Sequence, residues 1–170
     1  MDKQDVKENK GKLKEDLQTA IDAEHTASVY FKYAASLIKN GKVRATFYNF
    51  ADLAEKNKGL LLGYLKNAGV NNFVLEDKCK LCQLNPTSFS LLGALNLGLE
   101  IINASIRSYS ELLDLSGDKE DKELFRRLLK EKNQQRNFLQ KERRFARIEK
   151  DKSDLLDSYS ITEAISHIWE

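Results

Sequence analysis

Apolar residues recur at alternating steps of three and four in four separate stretches of the chain. The first runs from about Gly11 to Ile38, the second from Phe47 to Leu65, the third from Leu92 to Leu113, and the fourth from Leu124 to about Lys150. Such steps keep residues on one face of an α-helix. The pattern therefore predicts four amphipathic helices, of which the third has the most regular apolar face.

Short turns and one long connection separate the predicted helices. Asn40-Gly41 tolerates positive φ and ends the first helix, and residues 116–118 make a second turn. Helices joined this closely are antiparallel neighbours. Residues 69–89 contain the only proline and lack helical periodicity, so we expect a crossover that runs along the bundle. Thr87 or Ser88 is expected to cap the third helix.

The sequence after residue 150 is predicted to form a separate tail. The run Ser160-Ile161-Thr162-Glu163 is a capping box, and the apolar residues at positions 161, 164, 165 and 168 share one helix face. We therefore expect a short C-terminal helix that docks on the bundle or on a second copy. The predicted organisation is a bundle domain over residues 1–150 and a tail over residues 151–170.

The two predicted hairpins repeat each other at a constant offset of 78 residues. Identical residues at this offset are Leu17 and Leu95, Leu37 and Leu115, Phe47 and Phe125, and Leu61 and Leu139. In the same register, Phe31 corresponds to Tyr109. One register therefore serves both helices of each hairpin and the turn between them. Two like hairpins joined by one crossover predict an all-α, ferritin-like four-helix bundle.

Three short runs resemble the metal-binding helices of a known family. Ala20-Ile21-Asp22-Ala23-Glu24, followed by Tyr30-Phe31, is similar to the first helix of rubrerythrin-like proteins. Phe47-x-x-Phe50-Ala51 and Phe125-x-x-Leu128-Leu129 are similar to the residues before that family's Glu-x-x-His motifs. The resemblance covers residues 13–145. It implies a bundle in which glutamates on helices one and three, and Glu-x-x-His on helices two and four, hold two metal ions.

The resemblance places six residues of this chain at the metal-binding positions. Continuing the apolar faces gives Glu24 on helix one, Ala54 and Asn57 on helix two, Ile102 on helix three, and Lys132 and Gln135 on helix four. Only Glu24 keeps the family's ligand type. The chain is therefore expected to have a degenerate di-iron site and no bound cofactor.

A second register keeps more carboxylates. Shifting helices two and four by about one residue gives a carboxylate-only metal site made of Glu24, Glu55, Glu100 and Glu131. This register moves Phe47 and Ile102 off the core face, which makes it the weaker alternative. Neither register places a histidine on helix two, three or four, because the two histidines are His25 and His167.

Glu24 lies on an apolar helix face, where an isolated carboxylate is costly to bury. One hypothesis is a buried ion pair in which Lys132 reaches across the core to Glu24, so that an ammonium stands in the place of a metal ion. Lys58 is the alternative partner. The competing interpretation puts Glu24 near the end of the bundle or in its protonated form.

Cys79 and Cys82 form a Cys-x-x-Cys motif on the expected crossover. Zinc needs four ligands, so this pair is at most half of a site shared with a second subunit. A dithiol switch is another use of the same pair. The plain alternative is a reduced pair without a chemical role.

The charge balance excludes some classes of partner. With 28 basic and 26 acidic residues the net charge is +2, and the basic residues of the fourth helix are interleaved with acidic ones. This pattern indicates a solvated helix face and no nucleic-acid binding. No signal peptide or membrane span is predicted, so the protein is expected to be cytoplasmic.

Three classes of function follow from these patterns. The favoured one is a non-catalytic ferritin-like bundle that acts through protein or self-association, as a dimer. The first alternative is a divergent rubrerythrin-like metalloprotein of peroxide or iron metabolism that binds iron at the four glutamates. The second is a thiol or zinc protein that acts through its two cysteines.

Overall fold

The computed structural model describes residues 3–67 and 89–166, and within them the side chains of residues 11–67 and 89–150. The described residues form four helices: α1 (Lys3–Leu37), α2 (Gly41–Asn67), α3 (Leu91–Leu115) and α4 (Lys119–Ser166). α1 packs on α2 and α3 on α4, and contacts of α1 with α3 and of α2 with α4 close the bundle. The predicted all-α four-helix bundle is confirmed. No helix in this part of the chain is long and apolar enough to cross a membrane.

Side-chain caps, and no left-handed glycine, set the helix boundaries. The Asn40 side chain accepts a hydrogen bond from the Val43 backbone N–H at 3.1 Å, and Asp118 accepts one from Glu120 at 2.8 Å. Neither Gly41 nor Gly117 has a positive φ, so the predicted role of positive φ in the first turn is wrong. A capped N-terminus starts the next helix at once and leaves no residue that needs this conformation.

Ser90 caps α3. Its side chain accepts a hydrogen bond from the Gly93 backbone N–H. The expectation of a cap at Thr87 or Ser88 is therefore wrong by two or three residues, and both of those residues lie outside the described ones. Any short hydroxyl side chain before an apolar run fits the capping rule, which explains the error.

α4 continues to Ser166 without a break. The expected short C-terminal helix is not confirmed as a separate element, because residues 151–166 extend α4. The sequence from Lys119 to Ser166 contains neither glycine nor proline, so nothing in it ends a helix. At 48 residues α4 is about 72 Å long.

The core consists of two apolar clusters, one toward each end of the bundle. The larger one contains the C-terminal part of α1, the N-terminal parts of α2 and α3, and Leu139 of α4. The smaller one contains the opposite halves of the same helices. Every residue of the four identical pairs at the 78-residue offset for which the clusters give an entry is buried: Leu17, Leu95, Phe47, Phe125, Leu61 and Leu139. The sequence repeat is thus a repeat of core positions.

Gly98 lets α3 approach α1 closely. A Cβ at this position would lie 3.1 Å from the Phe31 ring, which is fully buried and meets the rings of Tyr30, Phe47 and Phe50 at 5.1–5.4 Å. The ring therefore has little room to move. We expect Gly98→Ala to lower the free energy of unfolding by about 1–3 kcal/mol.

Gly63 is the matched control for this substitution. It lies inside α2, is exposed, and has nothing within 4 Å of an added Cβ. Gly63→Ala should stabilise the protein by about 0.5–1 kcal/mol through helix propensity alone. Urea denaturation of both variants tests the close approach, and a gain of stability in Gly98→Ala would contradict it.

Candidate functional site

A layer of buried polar residues separates the two apolar clusters at the middle of the bundle. Each helix contributes at least one residue, at the position where its share of one cluster gives way to the other. The members are Glu24 of α1, Asn57 of α2, Ser105 of α3, and Lys132 and Gln135 of α4, all no more than 3% exposed. A polar layer at this place is costly unless its members are paired.

Glu24 and Lys132 form an ion pair inside this layer. The Lys132 Nζ lies 2.8 Å from Glu24 Oε2, and both side chains are fully buried. The Tyr109 hydroxyl donates a hydrogen bond to the other carboxylate oxygen, Oε1, at 2.9 Å. The carboxylate thus receives one charged and one neutral donor, on separate oxygens. The predicted contact between Glu24 and Lys132 is present, and Lys58 is not its partner.

The pair sits in only one of the two repeated halves. Subtracting or adding the offset of 78 turns Glu24 into Ile102, Lys132 into Ala54, and Tyr109 into Phe31. These three equivalents are all buried in the larger apolar cluster. The same three positions therefore carry an ionic cluster in one half of the bundle and a fully apolar one in the other.

A second set of contacts lies beside the ion pair and joins α2 to α4. Asn57 donates to Glu131 Oε1 at 2.7 Å, and the Gln135 amide reaches the same oxygen at 3.4 Å. Two buried oxygens, Ser105 Oγ and Gln135 Oε1, have no hydrogen-bond partner within the described part of the protein. The layer is therefore only partly satisfied outside the Glu24 pair.

The carboxylates of the alternative register lie elsewhere. Glu55 is exposed and pairs with Lys58 at 2.7 Å, and it accepts a further hydrogen bond from Ser28. The hydrogen bond from Lys58 lowers the pKa of Glu55. Glu100 is exposed on α3, and Glu131 is half-buried. The helices adopt the first register, because that is the one that buries Phe47 and Ile102.

No group of three or more histidine, cysteine, aspartate or glutamate residues that could hold a metal ion exists within residues 3–67 and 89–166. The structure therefore does not bring together Glu24, Glu55, Glu100 and Glu131. His25 is half-buried, next to Glu24 in sequence. Cys79, Cys82 and His167 lie outside the described residues, and the zinc and thiol predictions for them remain predictions.

Comparison with solved structures identifies the architecture. The chain is similar to a bacterioferritin from Desulfovibrio desulfuricans that was determined with its di-iron site in different catalytic states. The TM-score is 0.67, with 19% sequence identity over 80% of each chain. The fold is ferritin-like. No protein-family model and no curated protein matches the sequence.

The centre of this ferritin-like bundle does not fit a pair of iron ions. Iron of this type needs several carboxylates and imidazoles that converge. Ala54 and Ile102 have no donor atom, and the buried Lys132 ammonium already occupies the side of Glu24 that a cation would take. The neutral oxygens of Ser105 and Gln135 do not replace the missing charge. We therefore derive no chemistry through a metal at this site.

Tyr109 is the member of the site that the sequence analysis missed. A hydroxyl at a buried aromatic position, where the repeat has Phe31, was the signal that could have revealed a buried acceptor. The Asn57–Glu131 contact was also missed. It was hidden because Glu131 is only half-buried and lies beside the core face of α4.

Two buried tyrosines of the ferritin-like bundle make its stability depend on alkaline pH. Burial raises the pKa of Tyr109 well above 10, and the charge of Glu24 raises it further. Burial also raises the pKa of Tyr30, whose hydroxyl donates to the Ala94 carbonyl at 2.7 Å. Because the folded-state values exceed the unfolded ones, this stability is complete below pH 10 and is lost as the pH rises above it.

We expect the free energy of unfolding to fall above pH 10 by up to about 1.4 kcal/mol per pH unit for each of these tyrosines. Tyr109→Phe and Tyr30→Phe should each reduce that slope, because phenylalanine does not titrate. Urea denaturation between pH 9 and about pH 11.5 measures it. An unchanged slope in both variants would exclude the two hydroxyls as its source.

Proposed function

We propose that this protein is a non-catalytic ferritin-like bundle that has no di-iron centre and acts through protein association, first of all with a second copy of itself. The supporting observation is the Lys132 ammonium, which lies 2.8 Å from Glu24 where a metal-binding bundle needs its cation. A protonated lysine carries the positive charge but has no vacant orbital to bind oxygen or peroxide. The central site therefore stabilises one packing of the helices and leaves the surface to act.

The proposal includes the absence of a bound cofactor and a place in the cytoplasm, where Cys79 and Cys82 stay reduced. Two alternatives keep a metal. One is iron at Glu24, Glu55, Glu100 and Glu131, which requires α2 and α4 to turn so that the exposed Glu55 enters the core. The other is zinc shared between subunits at the two cysteines.

Metal analysis separates the proposal from both alternatives. The protein is purified without chelator from cells grown with added iron and zinc, beside the variants Glu24→Gln and Cys79→Ser. We expect far less than one metal ion per chain in all three samples. A bacterioferritin prepared in parallel shows whether the procedure retains iron.

Two results would contradict the proposal. About two irons per chain that disappear in Glu24→Gln would establish a di-metal centre. About half a zinc per chain that disappears in Cys79→Ser would establish a site shared between two subunits.

A further inference from the structure

α4 extends well beyond the core that the four helices share. Ala146 is the last described residue of α4 that packs against the larger apolar cluster, and residues 147–150 are all exposed. The helix nevertheless continues to Ser166. About 20 residues, or roughly 30 Å of helix, thus lie beyond the core contacts. A helical segment of this length needs a packing partner for its apolar residues.

The extension begins with an apolar face that this chain does not cover. Phe145 is 50% exposed and Ile148 is 51% exposed, the two largest values among the large apolar side chains of the described core region. They are one helical turn apart. In the sequence, Leu155, Leu156 and Tyr159 follow Ile148 at helical spacing.

Charge changes sign along the same extension. Residues 141–150 contain five basic and two acidic residues, and residues 151–163 contain four acidic residues and one basic. One of the two acidic residues in the first half, Glu142, already pairs with Lys42 of α2 at 3.0 Å. The first half is therefore basic and the second half acidic, on either side of residue 150.

We propose that the α4 extension pairs with the α4 extension of a second copy in an antiparallel coiled arrangement centred on Lys152. This proposal rests on the proposed function, and names its first partner and the surface used. An antiparallel pair brings the basic half of each copy against the acidic half of the other, whereas a parallel pair would set like charges together. Because the two-fold axis makes the surface self-complementary, each contact forms twice.

The residues match at individual positions in this register. The facing positions are Lys150 with Asp154, Arg147 with Asp157, Lys141 with Glu163, Phe145 with Tyr159, and Ile148 with Leu156, each with its counterpart in the second copy. Three opposite-charge pairs and two apolar pairs thus share one register. Lys152 meets its own copy at the axis, with Asp151 beside it in sequence in each chain.

Two charge-reversal variants of the full chain test this pairing. Arg147→Glu/Lys150→Glu makes both halves acidic, and Asp154→Lys/Asp157→Lys makes both halves basic. We expect the unmodified protein to sediment as a dimer and each variant alone as a monomer. An equimolar mixture of the two variants should form a heterodimer, because each half then faces a half of opposite charge again. Circular dichroism confirms that both variants keep their helices.

The outcomes separate this inference from the proposed function. Dimers in both single variants would overturn the α4 pairing and leave self-association through another face. Monomers in the variants and in their mixture would also overturn it, because the restored charge match should restore the dimer. A monomeric unmodified protein would overturn the pairing and self-association together. The metal analysis tests the missing di-iron centre independently of all three results.

Discussion

Lys132→Ala is expected to lower the free energy of unfolding by roughly 3–5 kcal/mol. The substitution removes the ammonium at 2.8 Å and leaves the Glu24 carboxylate fully buried with the Tyr109 hydroxyl as its one remaining donor. An uncompensated charge in the interior costs more than the lost contacts of the lysine stem. Urea denaturation followed by circular dichroism measures the change.

Lys42→Ala is the matched control for this prediction. Lys42 also pairs with a glutamate, Glu142, at 3.0 Å, but its side chain is 69% exposed. We expect a loss of about 1 kcal/mol or less, since water replaces the partner of an exposed charge. Equal losses in the two lysine variants would show that Glu24 is not isolated from solvent in the folded protein.

Replacing the whole ionic cluster by apolar residues is expected to restore the stability that Lys132→Ala loses. The variant Glu24→Leu/Lys132→Met/Tyr109→Phe keeps the volume of each side chain close to the original. Buried ion pairs replaced in this way leave proteins equally stable or about 1–4 kcal/mol more stable. The repeat supports this result, because the equivalent positions Ile102, Ala54 and Phe31 are already apolar and buried.

The comparison that matters is between the triple variant and Lys132→Ala. The triple variant should exceed the single one by at least about 3 kcal/mol, because it removes the charge that the single variant leaves unpaired. If the triple variant is the less stable of the two, the ion pair contributes net stability that an apolar core cannot replace. The interpretation of Lys132 as a mere stand-in for a cation would then be wrong.

The repeat explains why the sequence predicted the core well. Phe47 and Phe125, 78 residues apart, are both fully buried, and so are Leu61 and Leu139. A shared register doubles the number of positions that must fit one helical period, which fixes the buried face more firmly than either hairpin alone. This register also placed Lys132 on the buried face of α4, one residue from the half-buried Glu131.

The helix ends and the hydrogen-bond partners were less predictable. Ser90, rather than Thr87 or Ser88, caps α3, because several neighbouring hydroxyl side chains satisfy the same rule. Tyr109 reaches Glu24 across 85 residues of sequence. Contacts of this kind depend on how two helices are placed against each other, which local periodicity does not determine.

The repeat also shows how a metal site and an apolar core can occupy equivalent positions. One half of the bundle has Glu24, Tyr109 and Lys132 at the centre, and the other half fills the same three places with apolar side chains. A carboxylate retained in such a layer needs a cation from within the chain once the metal ligands around it are gone. Lys132 supplies that cation from the α4 position equivalent to Ala54 of α2.

A crystal structure with anomalous diffraction data collected at the iron and zinc edges tests the central claim most directly. We expect the Lys132 ammonium within hydrogen-bond distance of Glu24, with Tyr109 on the other carboxylate oxygen and no anomalous peak between the four helices. Anomalous peaks at the centre of the bundle, with Lys132 turned away from Glu24, would contradict it.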